Sequence, residues 1–567
     1  MNLLKKYCLA LVLAVYFFLC LTGIFYNYGL NTVGDELPLM SATLKMISDQ
    51  TLRPDYQSFY HVPFGAYLYL PFFVILLLFL RLSGAFTSLE SLKEFGLLDF
   101  NKFLPFARFL TILSGLVSIY LVYKISEKLF KNKAISFFSA TLLSSSLMFI
   151  QISHFAKVWI PQIMTILLAL YLIVVLYQEE KEKFKNYILV GLAVGLAFGT
   201  HVVGVLVYIP FVIAHYFKNS GRKFKDIFLK NKFFWLVNLI LVVFYFFIFY
   251  LNPTGFKNNI SGSGILPDLS NIFHATSDLP VGQADSAVGP GLFYNYSFYA
   301  RVLFEYEPLL ILIFIFGAIA LFKKEKRIFS LLFSFIFIYY FTISSIAHEP
   351  RYILPVIPFM ALIAGFGLFY FYEKINHRLA AIIIAALIIF NYAPPLLWNN
   401  ALIQTSQIVS ARTWIYNNVA VGEKIINIGA PLELNESKEA INDINKFSSQ
   451  LTKKRAYLMT LPEADYPKPN YYIFYNSYYD NIPKELLEKK YDYLIISWWD
   501  SADLKQKITK FNELNLKQKM VLLKKFPESA SEGNLSVDLA DFRYPVYNLL
   551  FDKISQNGPS IFIYKLN

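Results

Sequence analysis

Apolar runs of about twenty residues recur along this chain with hardly a charge inside them, Leu9–Phe25 and Phe233–Tyr250 being two clear cases. Coiled as a helix at about 1.5 Å rise per residue, such a run crosses a hydrocarbon layer of ~30 Å. A backbone in lipid has no water to bond, so repeated runs of this length commit the chain to a bundle of membrane helices. Composition agrees. The 567 residues are 56% apolar and 18% aromatic but only 16% charged, against about 25% charged in an ordinary soluble domain.

Twelve apolar segments stand out: about 7–26, 63–82, 104–124, 134–151, 160–178, 187–200, 203–217, 233–251, 305–322, 328–346, 353–372 and 379–397. Basic residues alternate between them. Lys124, Lys128, Lys131 and Lys133 follow the third; Lys181, Lys183 and Lys185 the fifth; Lys218, Arg222, Lys223 and Lys225 the seventh. Lys323, Lys324, Lys326 and Arg327 follow the ninth, and Lys374 and Arg378 the eleventh. Short loops rich in Lys and Arg belong in the cytoplasm. Lys5 and Lys6 place the N-terminus there as well, with the first segment kept as an uncleaved span. The first segment then runs outward and the third inward, so 63–82 cannot simply cross. The pattern predicts about eleven spans, with 63–82 re-entrant or lying against the outer side of the bundle. Residues 27–62, 83–103, 152–159, a turn near 201, 252–304, 347–352 and everything after 398 fall outside.

The net charge of +13 is thereby read as positive-inside bias, and nucleic acid is not expected as a partner. Cys8 and Cys20 are the two cysteines. Twelve residues apart on one helix, roughly 18 Å, they cannot bond.

Two regions are expected: a transmembrane catalytic part over 1–397, with a first outer loop 27–62 and a long mobile outer loop 252–304, and an extracytoplasmic α/β domain over 398–567. The latter is richer in Lys, Asp, Glu and Asn. Ser406–Asn417 reads as a helix, and Lys424–Ile428, Tyr491–Ser497, Met520–Phe526 and Ser560–Tyr564 as strands, with 501–515 helical.

With this topology the ionisable groups near the membrane gather on the outer side: Asp35, Glu36, Asp55, His61, His154, Lys157, His201, His348, Glu349 and Arg351. Span centres hold almost none, which disfavours an ion-coupled pump. Asp35, ahead of the amphipathic stretch Leu37–Ser48, suits a general base, or equally the N-cap of the following helix. His61, just before Val62-Pro63, suits a phosphate contact or an interfacial aromatic belt with Tyr56, Phe59 and Tyr60. Lys157 can neutralise a phosphate or snorkel to the surface. Arg351 breaks the positive-inside pattern and calls for a partner: a lipid phosphate held bidentately, or a salt bridge to Glu349 or Asp35.

The order of Gly34-Asp35-Glu36, Pro54-Asp-Tyr with Tyr60-His61-Val-Pro63, Gly191-Leu-Ala-Val-Gly-Leu-Ala-Phe-Gly-Thr-His201, Arg351-Tyr-Ile-Leu-Pro-Val-Ile-Pro358 and Ala411-Arg-Thr-Trp-Ile-Tyr-Asn-Asn418 resembles the GT-C superfamily of membrane glycosyltransferases. The branch it is most similar to is the bacterial one of protein O-mannosyltransferases and the aminoarabinose transferase, which use polyprenyl-phosphate sugars. The resemblance implies Asp35 as catalytic base with Glu36 supporting it. His61, His154, Lys157, His201, His348 and Arg351 would serve the donor phosphate and lipid. Three departures matter. Val62 stands where the family often has Pro, His201 where Lys is common, and Lys157-Val-Trp159-Ile-Pro where a second acid is usual. The lost acid favours a metal-independent reaction with no cofactor, with dependence on a divalent metal the less favoured alternative. Expected partners are the lipid-linked sugar, an acceptor glycan, lipid or protein, and membrane lipids. The expected location is the plasma (inner) membrane, multi-pass, with the site outside. The implied activity is inverting transfer of a sugar to an acceptor hydroxyl. A non-catalytic flippase of lipid-linked sugars is the alternative, and a membrane sensor a third reading.

Overall fold

The computed structural model describes the chain apart from residues 1, 34, 55–63, 87, 252–291, 347–348, 448–450, 476–488, 500–504, 506–519, 529–544 and 552–556. Where described, the twelve apolar segments are helical apart from short breaks. The bundle comprises α1 (Asn2–Leu21), α2 (Leu37–Ser48), α3 (Phe64–Leu82), α4 (Leu89–Leu98), α5 (Leu104–Phe130), α6 (Lys133–Ser144), α7 (Leu147–Ser153), α8 (Trp159–Gln178), α9 (Phe184–Thr200), α10 (Tyr208–Lys218) and α11 (Lys232–Leu251). It continues with α12 (Leu292–Tyr306), α13 (Pro308–Lys324), α14 (Lys326–Ile346), α15 (Ile357–Lys374) and α16 (His377–Leu402).

Among the described residues seven helices are long and apolar enough to cross a membrane. The count is nine when the bent pairs α6–α7 and α12–α13 are taken as one span each, and three shorter apolar helices join them. Pro350–Lys374, 83% buried, runs through the middle of the bundle, whereas Lys232–Leu251, 17% buried, turns its aromatic residues outward to lipid. The chain is a multi-pass helical membrane protein.

One end of the bundle is fixed by contacts between distant segments. Trp159, opening α8, lies 4.8 Å from the ring of His201, just past α9, and 4.9 Å from that of Tyr352. The opposite ends of these helices carry the lysine-rich connections. Helix α3 is one uninterrupted helix, so a re-entrant hairpin is ruled out for it, and its length alone would let it cross. Its neighbours show how it lies. Phe64 packs on Phe244 and Phe247 near the end of α11, and Phe73 on Phe103 and Phe106 where α5 begins. Helix α4, only six residues beyond α3, touches the C-terminal region. Both flanks therefore stay at the end of the bundle that holds Trp159, and α3 lies along it. With α3 set aside, the bent pairs joined and the three shorter apolar helices included, the candidate spans among the described residues number eleven, the count the charge pattern predicts.

The repeated glycines of α9 have a packing reason. A Cβ on Gly191, Gly195 or Gly199 would meet Ile240, Phe244 or Phe64 at 2.9, 2.6 and 2.1 Å. Spacing of four puts all three on one face, onto which α11 and α3 close.

The C-terminal region folds around a five-stranded sheet: β1 (Lys424–Ile428), β2 (Tyr472–Tyr475), β3 (Tyr493–Trp498), β4 (Met520–Phe526) and β5 (Ser560–Leu566), in the order β2-β1-β3-β5-β4. The first three are parallel, and β5 is antiparallel to both β3 and β4. Ile425, Ile473, Ile495 and Ile563 pack on one side against Ile408, Ala411 and Ile415 of α17 (Gln407–Asn418). Ile426, Phe474, Leu494 and Ile496 face the other side with Ala440 of α18 (Lys438–Phe447). A further helix, α19 (Lys453–Thr460), meets α4. Of the long loop expected over 252–304, residues 292–304 are instead helical, as part of α12, and 252–291 lie outside the described residues, as does the helix expected over 501–515 apart from residue 505.

Candidate functional site

The loop between α1 and α2 presents two adjacent acids, and the backbone sends them in different directions. Asp35 has φ of 63°, a left-handed conformation rare in a residue with a Cβ and most tolerated by Asn and Asp. Glu36 occupies the N-cap position of α2 and makes no side-chain cap, nor does Asp35 cap any helix. The capping explanation of Asp35 is thus removed.

Glu36 turns inward and is fully buried. Arg108, 1% exposed in the second turn of α5, grips it with a two-pronged contact, Nε to Oε1 at 2.8 Å and Nη2 to Oε2 at 2.7 Å. The Ala156 N–H donates to the same Oε1 at 2.9 Å. Arg108 Nη1 also donates to the main-chain oxygens of Tyr26 at 2.6 Å and Ile24 at 3.2 Å. A buried ion pair is stable only when its remaining donors and acceptors are filled, as here. Arg108 escaped the sequence reading because it sits inside an apolar run. The signal was nonetheless present: like Arg351, it is an arginine opening a span from the side where cations are scarce.

Asp35 turns outward. Its side chain is 50% exposed, and Oδ2 accepts from Arg351 Nη2 at 2.9 Å. Arg351 is only 14% exposed. Its Nη1 lies 3.6 Å from Glu349 Oε2, and its guanidinium sits 5.5 Å from the Tyr352 ring. The salt bridges weighed as an alternative for Arg351 are therefore both present. Tyr352, Trp159 and His201 continue as a row of rings behind it.

Lys157 is 1% exposed, so it does not snorkel to the surface. It follows Ala156, whose N–H holds Glu36. His201 is 8% exposed against Trp159. His154 corrects the expectation of a phosphate ligand. It is fully buried, with Nδ1 donating to Ile150 O at 2.8 Å and Nε2 3.1 Å from both Leu19 O and Asn399 Oδ1. Both nitrogens are occupied, so His154 ties α7 to α1 and α16. His61, His348, Gly34 and Asp55 lie outside the described residues.

The site thus joins one accessible carboxylate, backed by a mostly buried guanidinium, to a sealed pair that fixes the loop beneath it. Among the described residues no three His, Cys, Asp or Glu side chains gather as a metal site. Glu36 has both oxygens engaged, so it is not placed to chelate alongside Asp35.

A family model described as dolichyl-phosphate-mannose-protein mannosyltransferase matches residues 98–250. This stretch contains Arg108, Lys157 and His201, and it supports the resemblance to the GT-C superfamily. No curated protein matches the sequence. Among solved structures, ArnT from Cupriavidus metallidurans bound to undecaprenyl phosphate is 13% identical, covering 91% of this chain and 96% of its own at a TM-score of 0.49. The Archaeoglobus fulgidus oligosaccharyltransferase is 13% identical over 74% of this chain and 59% of its own, at 0.48. The arabinofuranosyltransferase AftD from Mycobacteria is 13% identical over 99% and 40%, at 0.41.

Proposed function

We propose that this chain is an inverting glycosyltransferase that moves a sugar from a polyprenyl phosphate to an acceptor hydroxyl on a glycan, lipid or protein, at the outer face of the plasma (inner) membrane. The observation that carries the reading is Asp35, an exposed carboxylate held by a single arginine on a loop otherwise locked in place. Among the described residues Arg351 is its one hydrogen-bond or ion-pair partner, so an oxygen remains for a substrate.

The acceptor hydroxyl attacks the anomeric carbon from the face opposite the phosphate. The new C–O bond forms as the bond to phosphate breaks, the proton passes to Asp35, and the lipid monophosphate departs with its electron pair. Phosphate leaves without needing a proton, so one base suffices. Arg351 is close enough to the base to meet the leaving oxygens with its planar fork. A phosphate that draws Arg351 away leaves Asp35 freer to accept a proton, so donor arrival readies the base. Lys157, buried one residue beyond the Ala156 N–H that holds Glu36, adds positive charge beneath that loop, and His61 and His348 are proposed donor contacts. The proposed reaction needs no metal or cofactor.

The test is transfer from a labelled polyprenyl-phosphate sugar by the reconstituted protein, with analysis of the anomer formed. Inversion and stoichiometric release of prenyl phosphate are expected. Arg351→Ala should weaken donor binding more than Arg351→Lys, which keeps charge but loses the fork. Retention of configuration, or normal donor affinity in folded Arg351→Ala, would refute the assignment.

A further inference from the structure

The first outer loop is gripped from two sides. From below, Arg108 holds the Tyr26 carbonyl and Glu36. From above, residues of the C-terminal region, more than 400 positions away in sequence, hold the opening of the same loop. Glu433, five residues beyond β1, has φ of 49°, a left-handed conformation that aims its carboxylate at the bundle. Its Oε1 accepts from the Asn31 N–H at 3.0 Å and its Oε2 from Asn101 Nδ2 at 3.3 Å. Asn557, 1% exposed, accepts from the Tyr26 hydroxyl at 3.0 Å through Oδ1. Its Nδ2 donates to Gln404 O at 3.0 Å and Ala401 O at 3.4 Å, and its main-chain oxygen accepts from the Gln407 N–H at 2.8 Å. Between these two points Leu30, 1% exposed, is buried in the same apolar cluster as Ile408, Leu432 and Leu434.

Apolar packing alone would attach the C-terminal region to the bundle. Here, by contrast, a carboxylate and a buried amide are directed at the main chain and hydroxyl of one six-residue segment. We propose that Glu433 and Asn557 are positioning residues: they fix residues 26–31 from outside the membrane and so hold Asp35 at the geometry needed for transfer. This rests on the reading of Asp35 as the base. Asn557 binds the loop while also joining α16 to α17, so any displacement of the C-terminal region at that junction is passed to the segment leading to Asp35.

Hydrogen–deuterium exchange of residues 26–36 and steady-state transfer are measured on the full-length protein in lipid nanodiscs, for wild type, Glu433→Ala, Glu433→Gln and Asn557→Ala. The alanine variants should exchange faster across 26–36, with turnover falling roughly 3- to 30-fold, the scale of losing one hydrogen bond, at unchanged donor KM. Glu433→Gln should recover most of both, because its amide oxygen still accepts from the Asn31 N–H. Should Asn557→Ala fail to fold, Tyr26→Phe removes only the hydroxyl and should show the same changes. Unaltered exchange in Glu433→Ala would overturn the clamp whatever the enzyme does. Faster exchange with wild-type turnover would overturn the positioning role. A wild-type protein that transfers no sugar would overturn the reaction and with it that role, a failure distinguishable from a clamp that fails on exchange alone.

Discussion

Helix α8 runs from one polar network to another, about 30 Å apart at 1.5 Å per residue, and the two are built differently. Past its C-terminus, Glu182 accepts from the Tyr187 hydroxyl at 3.0 Å, Asn231 Nδ2 at 3.0 Å, Asn219 Nδ2 at 3.2 Å and Arg222 Nη1 at 3.3 Å. The Tyr187 hydroxyl also lies 2.9 Å from His215 Nδ1, whose Nε2 donates to Ile227 O at 2.9 Å. That network ties the α8–α9 connection to the α10–α11 connection and leaves no carboxylate oxygen without a donor. Near the N-terminus of α8, Glu36 is filled in the same way, whereas its neighbour Asp35 has one partner among the described residues and half its surface open. Saturation marks a carboxylate that holds structure. An accessible carboxylate on a saturated base marks one available for chemistry.

Breaking the saturated pair should have the largest structural effect. Arg108→Ala strands the Glu36 charge and should cost about 3–5 kcal/mol, the range for removing one partner of a buried ion pair. Thermal unfolding in detergent is the measurement, and loss of folded yield is the expected extreme. Removing both charges as Arg108→Met with Glu36→Gln should be milder than Arg108→Ala alone. Were the double variant worse, the pair would be contributing more than mutual compensation.

The other network should be less sensitive. Glu182→Gln keeps one acceptor oxygen for its four donors and should lower stability by about 1–2 kcal/mol, with transfer by the remaining folded protein near normal. A variant of Glu182 that stayed folded yet lost transfer would break the contrast drawn between the two ends.

Much of the site's framework was legible in the sequence, because lipid imposes length and charge rules that one chain displays by itself. Leu37–Ser48 was readable at both ends from its amphipathic pattern, and the placement of Asp35 and Arg351 at the same end of the bundle from lysine counts. Strands β1 and β4 were visible as apolar or β-branched runs. Strand β2, four residues in a Pro-, Lys- and Asn-rich setting, was not, nor were α18 and α19, whose residues are mostly polar. What sequence could not show was divergence. Asp35 and Glu36 read as one motif, and only a left-handed residue between loop and helix sends them to different arginines. The tie from Glu433 to Asn31 joins positions 402 apart, and no local pattern announces it.

The smallest effect lies in the C-terminal region. Asp443 accepts from Lys446 at 2.8 Å, from Tyr472 at 3.0 Å and from Lys489. Burial pushes its carboxyl up, but these donors outweigh it and hold it at about 2. A carboxyl lower in the folded than the unfolded state stabilises the fold above its ordinary range and loses that contribution as pH falls. The decline should therefore run from about pH 4 to pH 2. Asp443→Asn should cost about 1 kcal/mol near neutrality, discounted for the exposed Lys446 partner, and flatten that acid limb. An unchanged acid limb in the variant would assign it to other carboxyls.

The central claim, that Asp35 does chemistry while Glu36 holds structure, is tested most directly by single-turnover transfer with purified Asp35→Asn and Glu36→Gln. Thermal unfolding is recorded on the same preparations. Asp35→Asn should unfold like wild type, since no cap or buried pair is lost, with turnover reduced by roughly two to four orders of magnitude, the span assigned to a positioned general base. Glu36→Gln should show the reverse: a marked loss of stability, and a smaller loss of turnover in the protein that remains folded. An Asp35→Asn protein with wild-type turnover, or a Glu36→Gln protein that keeps full stability but not transfer, would contradict the account.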